Sequence, residues 1–298
     1  MKKYNLKLTV NILTYKTNKK ILRDCINSID KNIQINIIEN SKNFQDKKYF
    51  LKMKRNINFF CTGKNFGYGK GHNFGFSKVK NRYVLICNPD VVFKKNYFKI
   101  VNRYLKNNIE FHIIGSQYSK NKMDRPAYGL FNNKTINPKI REDVNKLQKV
   151  DWVVGCTMLF DLSKFSSKKI FDENFFLFYE ETDLCQRILA RHAIIYSASE
   201  LIINHQGEKS SFAINPKLKL DYIKLRNWHL LWSSFYYEKK HYGYINSLLN
   251  HFIYLFKDLI KIFFFGLMLN KEKFIKHLYR FLGLTSSIIG KKSSFRTQ

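Results

Sequence analysis

Apolar and polar positions alternate along the first part of the chain in short blocks. Leu6 to Leu13 patterns as a buried strand and runs into Thr14-Tyr15-Lys16. Thr17 or Asn18 then caps a helix whose Ile21, Leu22, Cys25, Ile26 and Ile29 fall on one face. Ile35 to Ile38 is a second apolar strand, stopped by Glu39-Asn40-Ser41. This β-α-β order predicts a parallel sheet with helices outside it, where ligands bind beyond the carboxyl ends of the strands.

The blocks continue. Asn58 to Phe60 is a third strand, opening into the glycine-rich GKNFGYGKGHNFGF of residues 63–76. That composition predicts a loop wrapping a ligand with main-chain groups. It matches neither the phosphate-loop nor the dinucleotide glycine pattern, and His72 within it reads as structural. Tyr83 to Cys87 is a continuous apolar strand ending at Asn88-Pro89-Asp90. Asp90 is either a turn residue or the one fixed carboxylate of a magnesium or manganese site. Val91 to Phe93 leads to a helix capped by Asn96, and Phe111 to Ile114 is a fifth strand before a polar stretch from Ser116 to Gln148. Val150 to Phe160 reads as one apolar strand whose Gly155 and Cys156 let its backbone approach something closely. Ile194 to Tyr196 and Leu201 to Ile203 form two short strands, finishing at Asn204-His205-Gln206-Gly207. His205, at a strand end, is structural or a metal ligand.

Between these strands lies FDENFFLFYEETDLCQR, Phe171 to Arg187. An aromatic run ends in Glu180, Glu181 and Asp183, after which Leu184, Cys185, Ile188 and Leu189 repeat at helical spacing. The pattern predicts a loop or strand delivering carboxylates to the first turn of a helix, where free N–H groups and the macrodipole favour negative charge. Those acids are an ordinary helix cap or a base for a substrate hydroxyl.

From Pro216 onward helical patterns dominate. Phe252 to Leu269 is the most apolar segment, but Lys257, Asp258 and Lys261 interrupt it on a face shared with Asn250. That predicts an amphipathic helix lying on a membrane, or packed on its own domain, rather than a span. Lys271, Lys273, Lys276 and Arg280 follow, as suits an anionic lipid surface.

Composition narrows the classes. The chain has 298 residues, 45% hydrophobic and 16% aromatic, enough for a sizeable core. Its net charge of +31 invites a nucleic-acid reading. The charge is nearly uniform, though: residues 216–298 hold fifteen Lys and Arg against four acids, close to a proportional share. A Lys- and Asn-rich bias accounts for it, and nucleic acid is not an expected partner. Five scattered cysteines without a CxxC pair, and a polar N-terminus, indicate reduced cytoplasm.

Taken in order, these pieces resemble the family 2 glycosyltransferases, and within them the bacterial rhamnosyltransferase-like branch. The carrying residues are Thr14-Tyr15-Lys16, Glu39-Asn40-Ser41, Asn65-Phe66-Gly67 with Asn73 and Gly75, and Asn88-Pro89-Asp90. Gly155-Cys156 with Met158-Leu159, the Phe171–Arg187 segment, and His205-Gln206-Gly207 with Ser210 complete the set, over residues 6 to 212. The resemblance implies an α/β GT-A fold: a Rossmann-like, mixed and mostly parallel sheet flanked by helices. It implies a catalytic domain over residues 1–215, and the helical pattern beyond it predicts a C-terminal extension over 216–298 that lies on a membrane or packs on its own domain.

It further implies donor contacts from Thr14, Tyr15, Lys16, Glu39, Asn40, Asn65, Gly67, Asn88 and Asp90 to a dTDP- or UDP-sugar. Asp90 and His205 would hold Mg²⁺ or Mn²⁺, with Asn88 standing where a first Asp is common. Glu181 would be the catalytic base, Asp183 the helix-capping acid, and Glu180, Trp152, Gly155 and Cys156 acceptor-side contacts. Trp152 and the aromatic run Phe175–Tyr179 would wall the sugar or simply pack in the core. The implied activity is inverting hexosyl transfer, rhamnose foremost, to a lipid-linked saccharide in O-antigen or capsule synthesis at the inner face of the membrane. The rival expectations are an inactive relative serving as an assembly partner, and a basic nucleic-acid-binding protein.

Overall fold

The first strand, β1 (Leu8–Thr14), is buried almost throughout, its polar Thr9, Asn11 and Thr14 included, because it lies inside a sheet covered on both faces. The structure, a computed structural model, describes residues 7–53, 55–119, 127–132, 135–137, 139–144, 146–205 and 219–297, with residues 132, 135 and 144 described by backbone only. The chain divides into two compact units. The first comprises Met1–Phe66, Lys70–Phe171 and Glu181–Ser211; the second comprises Gly67–Gly69, Asp172–Glu180 and Phe212–Gln298. The expected boundary between 215 and 216 lies outside the described residues, as do Gln206, Gly207 and Ser210.

In the first unit, β1 is followed by α1 (Lys19–Asn27), capped by Asn18, whose side chain accepts from the Lys20 amide. β2 (Gln34–Glu39), α2 (Lys47–Leu51), β3 (Ile57–Cys61), α3 (Tyr68–Ser77) and β4 (Tyr83–Cys87) come next. Strands β3, β2, β1 and β4 pair in parallel in that spatial order. After β5 (Val91–Phe93) and α4 (Tyr97–Lys106), β6 (Ile113–Tyr118) joins the sheet. Further on are β7 (Tyr128–Asn132), β8 (Thr135–Asn137), β9 (Glu142–Val144), β10 (Leu147–Lys149), β11 (Trp152–Val153), β12 (Thr157–Asp161) and β13 (Ile195–His205). β12 sits antiparallel between β4 and β6, and β13 runs parallel to β6. β10 and β9 extend the sheet, β5 pairs antiparallel with β13, and β11, β7 and β8 form a separate small sheet. The mixed α/β architecture expected from the pattern is borne out.

Four local expectations are corrected. The glycine-rich segment is a loop only to Gly67; from Tyr68 it is α3. Its glycines serve close packing, since a Cβ on Gly71 would stand 2.7 Å from Leu13 Cδ1. The polar stretch 116–148 holds the short strands β7 to β10, too brief for a two-residue period to show. The run from Val150 to Phe160 is split, with the Gly155–Cys156 turn between β11 and β12. The two strands expected at 194–203 are one, β13, with a register shift between Ser197 and Ile202 that masked the alternation.

The second unit is helical, with α6 (Lys219–Tyr242), α7 (Tyr244–Leu267) and α8 (Lys271–Ile288) around Leu231, Phe235 and Leu284. Residues 172–180 belong to it: Ser233 Oγ donates to the Leu177 carbonyl at 2.8 Å and Tyr179 Oη to Ser234 Oγ at 3.2 Å. Phe175 and Phe176 are buried there as core packing. Gly67 also lies in this unit at φ +81, and a Cβ on it would stand 2.2 Å from the Phe176 carbonyl oxygen. The expected polar face of α7 is corrected too. Asp258 leaves Lys257 and Lys261 outside and turns inward, meeting His277 Nδ1 at 2.7 Å and Arg280 Nε at 3.1 Å.

Candidate active site

Strand direction puts most of the expected site residues of the first unit on one edge of the sheet. Parallel β2, β1 and β4 end there at Glu39, Thr14 and Cys87, and parallel β6 and β13 end there at Tyr118 and His205. Antiparallel β12 begins at the same edge, Thr157 opposite Cys87, so the Gly155–Cys156 turn abuts Asn88. The Asn88 amide donates to the Cys156 carbonyl at 2.9 Å.

The β1 and β2 end of this edge holds a cavity of about 640 Å³. Its lining includes Tyr15, Lys16, Glu39, Ser41 and Asn65, and also Lys42, Lys64 and Asp46. Glu39 is buried at the wall and accepts from Thr14 Oγ1 at 2.6 Å, Ser41 Oγ at 2.6 Å and the Lys16 amide at 3.2 Å. A carboxylate has about four acceptor positions. Among the described residues three are used, which leaves one for a ligand hydroxyl or ring N–H. Asn40 Oδ1 accepts from the Phe66 amide at 2.9 Å and Thr62 Oγ1 at 3.1 Å, while Asn40 Nδ2 donates to Asn65 Oδ1 at 3.0 Å. Thr14 and Asn40 are therefore buried braces that shape the cavity from behind, and Lys16, Lys42 and Lys64 supply its positive charge.

Asp90 stands past β4 in a different state. It is 1% exposed, and neither carboxylate oxygen accepts a hydrogen bond from the described residues. Because Val91 pairs with His205 across β5 and β13, the His205 ring reaches Asp90, with Nε2 3.2 Å from Oδ1. Leaving such a carboxylate unbonded in the interior is costly, and a cation is what relieves it. Among the described residues no group of three or more His, Cys, Asp or Glu gathers around a metal position. Two protein ligands still suit Mg²⁺ or Mn²⁺, which take remaining oxygens from phosphate and water. Asp90 and His205 fit that role.

Glu181 enters from α5 (Glu180–Leu189), whose first turn it occupies. Burial raises its carboxyl above the ordinary value of 4.5, while the Glu181 and Thr182 backbone N–H groups pull it back. The helix is braced by Trp152, a buried residue whose Nε1 donates to Thr182 Oγ1 at 3.2 Å, and by Arg187, whose Nε reaches Asp183 at 2.7 Å. Asp183 is thus tied one turn onward. Upstream, the Asn73 amide side chain clamps both backbone groups of Phe171 at 2.9 Å. The two residues before Glu180, Phe178 and Tyr179, have φ of +71 and +69. Each such non-glycine conformation costs about 1–3 kcal/mol. Glu180 is buried and is grouped with the second unit.

Cys156, in the turn between β11 and β12, is buried. Burial raises its thiol to about 12; hydrogen bonds to Tyr118 and Thr157 oppose this, and the charges of Asp90 and Glu181 add to it. Both acids therefore act on one sulfur. His72 is fully buried, its pKa pushed down to about 3 by burial beside Phe76 and Phe171, as its structural reading requires.

Sequence reasoning missed Lys42, Lys64 and Asp46, which sit in aperiodic segments, and Tyr118, whose ring stacks on His205 at 6.2 Å. The clustering of lysines near Glu39 was a usable signal for the first two. Nothing in the sequence marked Tyr118.

The sequence profile described as "Glycosyl transferase family 2" matches residues 9–167. Among curated proteins, the chain is 22% identical over 227 residues to the low-salt glycan biosynthesis hexosyltransferase Agl10 of Haloferax volcanii, covering 72% of this chain and 73% of that one. It is 26% identical over 244 residues to the rhamnosyltransferase WbbL of Escherichia coli (strain K12), covering 71% and 84%. Among solved structures, the mannosyltransferase PcManGT from Pyrobaculum calidifontis, in complex with GDP-Man and Mn²⁺, superposes with a TM-score of 0.53 at 10% identity, covering 96% and 88%.

Proposed function

We propose, for a chain that belongs to glycosyl transferase family 2, that it moves a hexose from a nucleoside-diphosphate sugar to a saccharide acceptor with inversion. The chain is a glycosyltransferase with the GT-A fold. Residues 1–215 carry the chemistry and 216–298 are an extension to it. Rhamnose from a dTDP donor is the leading donor assignment, supported by the similarity to the Escherichia coli rhamnosyltransferase, with UDP-linked sugars as the competing donors. The acceptor is a lipid-linked saccharide of an O-antigen or capsule, made in the cytoplasm. In keeping with that compartment, all five cysteines are free.

One observation supports this reading: a single sheet edge holds a lysine-lined cavity and, at Asp90, a buried carboxylate that accepts no hydrogen bond from the described residues. The cavity takes the nucleotide, with Glu39, Tyr15, Lys16 and Asn65 contacting it and Asn88 completing the donor side. Asp90 and His205 hold Mg²⁺ or Mn²⁺, which supplies neutralisation of the diphosphate when bound. Glu181 accepts the proton of the acceptor hydroxyl as that oxygen forms a bond to the anomeric carbon. The bond from that carbon to the diphosphate breaks on the opposite face, and its electron pair leaves on the phosphate oxygen. Gly155 and Cys156 line the acceptor side. Trp152, being buried, acts there by fixing Thr182 and so the first turn of α5.

A donor screen by thermal shift, with and without Mn²⁺, tests the reading. The cognate nucleotide-sugar raises the melting temperature by mass action, more so with the cation. No response to any nucleotide-sugar would overturn it.

A further inference from the structure

Helix α7 is amphipathic with its faces reversed. The residues it buries are Ser247, His251 and Asp258. His251 Nε2 lies 2.9 Å from Ser234 Oγ on α6, and Asp258 is clamped by His277 and Arg280 of α8. Leu249, Phe252, Phe256, Ile260, Phe263 and Leu267 recur at spacings of three and four on the opposite face, each more than half exposed. An apolar stripe this long is seldom left facing water. No helix among the described residues is long and apolar enough to cross a membrane.

Charge decides what covers the stripe. Between residues 244 and 290 the basic residues are Lys257, Lys261, Lys271, Lys273, Lys276 and Arg280, against Asp258 and Glu272. Lys257, Lys261, Lys271, Lys273 and Lys276 are exposed, and the one acid of α7 is turned inward. A second copy of this chain would bring lysines against lysines around the stripe, in a molecule of net charge +31. An anionic lipid surface accepts both features at once. Apolar side chains enter the acyl boundary while lysines meet the headgroups.

We propose that the exposed face of α7, with the lysines of α7 and the start of α8, docks in the plane of an anionic membrane leaflet. At about 1.5 Å per residue, the 24 residues of α7 lay roughly 36 Å of helix along that surface. The proposal stands on the second unit alone and does not depend on the transfer reaction.

The test is co-sedimentation of the full chain with vesicles of phosphatidylcholine alone and of phosphatidylcholine mixed with phosphatidylglycerol. Binding to the mixed vesicles is expected, weakening at least about tenfold in a Phe256→Glu, Phe263→Glu double variant. Because both positions are exposed, the melting temperature of that variant should match the parent's. A Lys257→Gln, Lys261→Gln variant should lose the preference for the anionic vesicles while keeping the parent's fold. No binding to mixed vesicles, or equal binding by the Phe256→Glu, Phe263→Glu variant, would overturn the proposal. A parent dimer in sedimentation equilibrium that this variant splits would overturn it in favour of self-association.

Discussion

Glu39 and Asp90 are buried carboxylates on the same sheet edge, two strands apart, and their surroundings are opposite. Glu39 takes hydrogen bonds from Thr14, Ser41 and the Lys16 backbone. Among the described residues Asp90 takes none, and the His205 ring stands beside it. A carboxylate already supplied with donors holds the surrounding loops in place and offers one remaining acceptor position. A carboxylate without them has its full charge available for a cation. The contrast separates a residue that shapes a binding wall from one that awaits a ligand, though both are acids past a strand end.

Substitutions can break that contrast. The largest effect is expected at the third acid: Glu181→Gln should lower kcat by about 10²–10⁴-fold, with the donor still bound, as measured by transfer assay and thermal shift. Retained turnover would remove Glu181 as base. Asp90→Asn should abolish the Mn²⁺-dependent part of donor binding and cost at least about a hundredfold in kcat/KM, or ~2.7 kcal/mol. An unchanged cation titration would show that the missing hydrogen bonds mean nothing for metal. Glu39→Gln should act mainly on binding, raising donor KM by about tenfold, and should lower the melting temperature because three donors lose a charged acceptor.

pH gives a subtler test at Glu181. Its carboxyl is raised by burial, so the ionised base is lost at a pH above the ordinary 4.5, and kcat/KM should fall on an acid limb lying higher than that. The same shift has a stability sign. The contribution is fully present below pH 4.5 and is lost as pH rises through the raised value, because ionising this half-buried carboxyl disfavours the folded state. Glu181→Gln should therefore melt higher than the parent at neutral pH, and the difference should vanish below about pH 4.5. The smallest effect is expected from Trp152→Phe, which removes the bond to Thr182 and should cost about 1 kcal/mol in denaturant unfolding.

The legible parts of the molecule were those with a strong local signal. β1, α1 and β2 follow from uninterrupted apolar periodicity and an asparagine cap. The start of α5 follows from acids placed against an apolar repeat. The strands β7 to β10 were hidden because three to five residues carry too little period. The helix in the glycine-rich segment was hidden because low helix propensity pointed to a loop, and the close approach of Leu13 that requires Gly71 is a tertiary fact. Asp90 and His205 were each ambiguous alone. Their pairing rests on β5 lying against β13, an antiparallel contact between residues more than a hundred apart in sequence.

By itself, then, the sequence determined an α/β sheet with a parallel β-α-β start, the kinds of residue at its strand ends, and the family whose motifs they follow. These are properties of short windows, in which side-chain periodicity and turn chemistry act over a few residues. Only the tertiary structure decided which acid is supplied with donors and which is not, that Trp152 braces a helix, and that α7 turns its one acid inward and Phe252, Phe256 and Phe263 out. Hydrogen-bond supply, burial and exposure depend on groups brought together from distant parts of the chain, and no local pattern encodes them.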